Sequence, residues 1–131
     1  MNRPAIDQQI TFLAAHNLVE TAEFYENILG LRLVLDQGGC RIYEAAPNAY
    51  IGFCRQLSTQ QQPHAGYDGI MLTLVTTAVD DWHAYLTAKN VPIEKPPTHN
   101  TTYNIYQMFI RDPNNYIIEI QSFLGSAWPP L

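Results

Sequence analysis

The chain has 131 residues, 47% of them apolar and 15% charged, with a net charge of −5. That length and balance suit one folded domain with a real core and exclude a disordered chain. The seven Lys and Arg residues are scattered rather than clustered, so nucleic acid and membrane surfaces are poor partners.

No apolar run approaches the roughly 18 residues of a membrane span, and no apolar h-region follows Met1. A cytoplasmic protein without a secretory signal is expected. Cys40 and Cys54 flank one predicted hairpin, but a reducing compartment favours free thiols over a disulfide.

Residues 9–15, QITFLAA, read as a buried strand. A helix follows, with Asn17 as N-cap and Glu20 at the N3 position of a capping box. Leu18, Ala22, Tyr25 and Leu29 form its apolar stripe, which Phe24 and Ile28 widen. Gly30 suits the position just past the helix. LRLVLD, CRIYEA and YIGFC are strands, separated by the turns GG and APN. Residues 56–66, QLSTQQQPHAG, have the polar, Pro- and Gly-bearing composition of a linker.

The order then recurs. GIMLTLV is a strand, and Thr77 with Asp80 forms a second capping pattern. Val79, Trp82 and Leu86 mark a helix ending near Asn90. VPIEKP reads as an extended edge segment, PTHNTT as a loop, YNIYQMFI as a strand, DPNN as a turn and YIIEIQ as a final strand. Equal spacing separates Asn17 from Gly30 and Thr77 from Asn90. APNAYIGFC and DPNNYIIEI close the two halves in the same way. The chain is therefore read as α+β: a single domain, 1–131, of two βαβββ modules, 5–55 and 67–124. The tail 125–131, with Trp128, reads either as a segment packed on a partner subunit or sheet edge, or as a loose end.

NLVETAEFYENILGLRLV, with Tyr25, Leu29, Gly30 and Leu31 in register, and DPNNYIIEI resemble two motifs of the vicinal oxygen chelate superfamily. That superfamily includes glyoxalase I, bleomycin-resistance proteins, fosfomycin-resistance enzymes and extradiol dioxygenases. The resemblance covers nearly the whole chain. It implies tandem modules forming an open, cup-shaped, eight-stranded sheet, and a homodimer.

It also implies four metal-ligand positions, which fall on Ile10, Gly52 (or Phe53), Met71 and Glu119. Only Glu119 can bind a hard or borderline ion, and one carboxylate does not make a metal site. Moving the alignment by one residue gives Gln9 and Ile70, which restores nothing. No cofactor is expected, a divalent metal being disfavoured rather than excluded. Among the histidines, His16, His64 and His83 read as exposed or capping side chains. His99 is the best fallback, in a loop that could fold over the cup.

Period-two alternation places Phe12 with Ile10, Tyr50 and Cys54 with Gly52, Thr73 and Val75 with Met71, and Ile117 and Gln121 with Glu119. From NIYQMFI, either Asn104, Tyr106 and Met108 or Ile105, Gln107 and Phe109 line the cup, and Tyr106 is carried as the candidate. The ligand-binding set is thus Ile10, Phe12, Tyr50, Gly52, Met71, Thr73, His99, Tyr106, Glu119 and Gln121. Glu119 reads as a ligand anchor, as a general base and candidate catalytic residue, or as a purely structural partner in the sheet. The favoured function is binding of a small molecule, cationic and flat, without metal. The alternatives are a metal-dependent superfamily enzyme (a lyase, isomerase or dioxygenase) with atypical ligands, and a non-catalytic dimeric interaction domain.

Overall fold

The computed structural model describes residues 2–55 and 69–128, so the 56–66 linker, His64 and the last residues of the tail lie outside the described residues. The chain divides into two compact units, Met1–Ala65 and Gly66–Leu131.

The first unit opens with β1 (Ile10–Ala14) and α1 (Leu18–Ala22), which runs on as a π-helical segment, Glu23–Ile28. Asn17 caps the helix: its side-chain oxygen accepts from the backbone N–H of Val19 and Glu20. Gly30 follows at φ 75°, a left-handed conformation that costs glycine little. β2 (Arg32–Asp36), β3 (Cys40–Ala46) and β4 (Ala49–Cys54) complete a four-stranded sheet in the order β1-β4-β3-β2. β1 and β4 run parallel, so the first strand of the unit is held by its last.

One face of this sheet is covered by the helix. Tyr25, Tyr43 and Phe53, each 0–1% exposed, form the centre of its core. The rings of Tyr25 and Phe53 lie 4.5 Å apart, and Tyr25 stacks on Tyr43 at 6.1 Å. Strand alternation puts Phe53 on this face, so Gly52 takes the opposite one, and the choice between the two left open by the sequence resolves to Gly52.

The second unit repeats the plan: β5 (Met71–Val75), α2 (Val79–Ala88), β6 (Ile93–Asn100), β7 (Ile105–Arg111) and β8 (Ile117–Phe123), in the sheet order β5-β8-β7-β6. Val79 and Leu86 of α2 are buried, as are Met108, Ile110, Ile118 and Ile120 of the sheet.

Three local expectations change. Thr77 does not cap α2; the hydroxyl of Thr76 accepts from the N–H of Ala78, and Ala78 itself is the N-cap residue. PTHNTT is not a loop throughout, because β6 continues to Asn100 past Pro96 and Pro97. An edge strand accommodates this: the pairing with β7 skips between Lys95 and Thr98, where the prolines have no N–H to offer. The tail is not wholly loose, since Trp128 stacks on Phe123 with ring centroids 4.5 Å apart.

The cysteines also depart from expectation. Cys40 and Cys54 are direct cross-strand partners on β3 and β4 and form a disulfide. Antiparallel pairing brings their side chains to the same face, as the predicted hairpin allows; the expectation of free thiols rested on an assumed reducing compartment and not on distance. The cysteine count therefore no longer argues for a reducing compartment.

Candidate functional site

Each sheet has a face turned away from its own helix. On the first sheet, register places Ile10 beside Tyr50 and Phe12 beside Gly52 on that face. Ile10 is 39% and Phe12 40% exposed. The ring of Phe12 lies against Gly52, where a Cβ would collide with Phe12 Cδ1 and Cε1. The absent side chain of Gly52 is thus what allows an aromatic ring to approach β4 so closely. Cys40 and Cys54 lie on this same face, by the pairing of Ile42 with Gly52 and of Cys40 with Cys54.

On the second sheet, Met71 pairs with Ile117, Thr73 with Glu119, and Val75 with Gln121. Glu119 is 4% exposed, yet it is a carboxylate with partners. Its Oε1 accepts from the hydroxyl of Thr73 at 3.0 Å, and its Oε2 accepts from Nε2 of Gln107. Gln107 is oriented in turn by Asn100, whose Nδ2 donates to Gln107 Oε1 at 2.9 Å. Gln121, directly across from Gln107 in the ladder, is buried too, and its Oε1 has no hydrogen-bond donor among the described residues. A buried acceptor without a donor costs about 1–3 kcal/mol. The result is a strip of acceptor oxygens, Glu119 and Gln121, bordered by Met71, Phe109 and Ile117.

Register settles which half of NIYQMFI joins this strip. Gln107 and Phe109 share the face of Glu119 and Gln121. Tyr106 is on the other face, where its hydroxyl donates to Asp80 Oδ1 of α2 at 2.6 Å. That hydrogen bond, ahead of burial, raises the pKa of the phenol. Tyr106 lines a cavity of about 340 Å³ with Asp80, Ser122 and Leu124 instead of the Glu119 strip. His99 pairs with Tyr106 in register and so shares its side; it is exposed, and its Nε2 is 3.4 Å from Asn104 Oδ1. The sequence reading thus missed Asn100, assigned to a loop, and preferred Tyr106 to Gln107. A strand apolar on both faces gives no period-two signal to separate the two registers.

The model of the glyoxalase/bleomycin resistance protein/dioxygenase superfamily matches residues 8–120. The chain belongs to that superfamily. No curated protein matches the sequence. Solved structures that resemble this superfamily member include lactoylglutathione lyase from Agrobacterium tumefaciens, with 18% identity, a TM-score of 0.71, and coverage of 96% of this chain and 100% of that one. A glyoxalase/bleomycin resistance protein/dioxygenase from Nocardioides is 19% identical, with a TM-score of 0.71 over 100% of this chain and 91% of that one. A virulence protein from Salmonella typhimurium is 22% identical, with a TM-score of 0.71 over 94% and 99%. At these identities the likeness establishes the glyoxalase/bleomycin resistance fold.

The divalent metal that the superfamily implies does not fit the donors of this member. The residues at the four expected positions are Ile10, Gly52, Met71 and Glu119. The Gly52 position is covered by the Phe12 ring, and both oxygens of Glu119 already accept from neutral side chains. Among the described residues, no three His, Cys, Asp or Glu side chains come together as a metal-holding group. No described helix is long and apolar enough to cross a membrane.

Proposed function

We propose that this superfamily member is a binding module that holds a small, cationic organic molecule against Glu119, with no resident divalent ion. The observation that carries this reading is the acceptor strip: among the described residues, a buried carboxylate meets the neutral donors Thr73 and Gln107, near a buried Gln121 oxygen that finds no donor. A ligand bearing N–H groups and positive charge would satisfy both. The apolar neighbours Met71, Phe109 and Ile117 would exclude water and strengthen the charge interaction.

The binding form is taken to be a homodimer. In support, edge strand β2 leaves Leu33, Val34 and Leu35 36–48% exposed, an apolar edge that a second copy would cover.

A thermal-shift screen against small amines tests the proposal, because a ligand of the native state raises the melting temperature by mass action. Glu119→Ala is expected to weaken a hit by about 1–3 kcal/mol, the scale for losing a charged hydrogen-bond partner. A broad screen without a hit, or a hit indifferent to Glu119→Ala, would remove the reading. Elemental analysis showing stoichiometric zinc, manganese, iron or nickel would replace it with a metal-dependent superfamily enzyme.

A further inference from the structure

Helix α2 carries a second feature, remote in sequence from Glu119 and unrelated to the superfamily's metal positions. Ala78, Asp81, Trp82 and Tyr85 fall at the i, i+3, i+4, i+7 spacing that forms one stripe of a helix. The core of the unit is filled by the adjoining stripe, Val79 and Leu86, which are 1% and 0% exposed. An amphipathic helix normally turns charged and small polar residues outward. This one places a half-buried indole, Trp82, at the border of its core face and turns out a phenol, Tyr85, which is 37% exposed.

The two rings are not stacked on each other. They stand at 89° with centroids 5.5 Å apart. Rings at right angles form a corner with two π faces, both of which attract a cation. Ala78 contributes only a methyl group, which leaves the corner open. Together with Asp81 these three residues line a cavity of about 250 Å³. The neighbouring carboxylate, Asp80, is occupied by the Tyr106 hydroxyl, so Asp81 is the acid that faces the cavity. A cation already sits near this aromatic pair, since Lys89 Nζ lies 5.8 Å from the centroid of Tyr85.

We infer that Trp82, Tyr85 and Asp81 form a binding site for the quaternary ammonium group of a small molecule. Three arguments choose this chemistry. Two perpendicular π faces and one carboxylate attract positive charge. A primary ammonium needs acceptors for three N–H bonds, and among the described lining residues one acidic side chain is supplied; a fully alkylated nitrogen has no N–H to satisfy, and its methyl groups match the apolar walls. The cavity is below the 300–1,000 Å³ usual for drug-sized ligands, which suits a compact head group. The inference does not depend on the Glu119 proposal.

The test uses the full chain carrying Trp128→Phe, so that Trp82 is the single indole and its fluorescence reports the site. Tetramethylammonium chloride and choline chloride are titrated against sodium chloride at matched ionic strength, with 3,3-dimethyl-1-butanol as the uncharged isostere of choline and butylammonium as the primary amine. A saturable change in Trp82 emission is expected with the two quaternary ions alone. Asp81→Asn is expected to weaken it roughly 1.5- to 5-fold, the range for an exposed charge pair. Lys89→Met, which removes a competing cation, is expected to tighten it. Equal responses to choline and its uncharged isostere, a response reproduced by sodium chloride or butylammonium, or indifference to Asp81→Asn would each overturn the inference. Asp81 and Lys89 are exposed, so these variants leave the core intact and the result does not hinge on folding.

Discussion

The ring of Phe12 and the bare Cα of Gly52 are partners: the ring occupies the space a side chain at residue 52 would need. By register, Phe12 and Gly52 in the first sheet correspond to Thr73 and Glu119 in the second. One unit therefore presents a hydrocarbon surface where the other presents a hydrogen-bonded carboxylate.

Gly52→Ala forces the Phe12 ring to move. Because that ring is 40% exposed it has somewhere to go, so a cost of about 1–2 kcal/mol is expected rather than loss of the fold. In the background of Phe12→Ala the same change should cost much less. Chemical denaturation of the four proteins of this cycle measures the coupling; additive effects would show that the two residues do not compete for space.

Reduction of the Cys40–Cys54 disulfide releases a link spanning 14 residues of sequence. By loop-closure entropy this should lower stability by about 2–4 kcal/mol. The check is denaturation with and without reductant, alongside thiol titration, which should find no free thiol in the native oxidised chain. Cys40→Ser should match the reduced protein and no longer respond to reductant.

Asp112 opens the turn between β7 and β8. It is buried, and its Oδ1 accepts from the N–H of Asn114 and of Tyr116. Asp112→Ala removes the side-chain acceptor of two buried backbone N–H groups, with an expected cost of about 2–4 kcal/mol; Asp112→Asn keeps a side-chain oxygen and should cost less. Thermal unfolding of the two variants distinguishes them. A smaller loss for Ala than for Asn would contradict this account of the turn.

Tyr43 sets an alkaline limit. Burial, reinforced by the hydrogen bond its hydroxyl donates to Glu26, holds its pKa well above the usual phenol value of 10.0. A raised folded pKa means the native state keeps a proton that the unfolded chain gives up. Its contribution is therefore complete below pH 10 and is lost as pH rises from there towards the folded value. Tyr43→Phe should flatten the fall in stability above pH 10 while leaving the neutral region nearly parallel to the parent. An unchanged alkaline limb would assign that fall to other groups.

The sequence carries the tandem plan because its signals are local. Asn17, Gly30 and the paired Pro-Asn turns act within a few residues, and Asn48 and Asn115 adopt the left-handed conformation such turns need. The candidate face was legible where one side of a strand is distinct, as at Ile117, Glu119 and Gln121. It was not legible in β7, where Tyr106, Met108 and Ile110 on one face and Ile105 and Phe109 on the other are all large and apolar. The role of Gln107 depends on which strand face meets Glu119, a fact of register. The disulfide is a different case: the predicted hairpin already set Cys40 across from Cys54, and the oxidised state is what the cysteine count could not show.

Both sheets begin and end at the same place: β1 is held by β4, and β5 by β8. Cutting out the hairpin that ends in β4 or β8 therefore leaves the opening strand without its partner. The smallest piece of this chain that can be copied, swapped or inherited intact is a whole βαβββ unit.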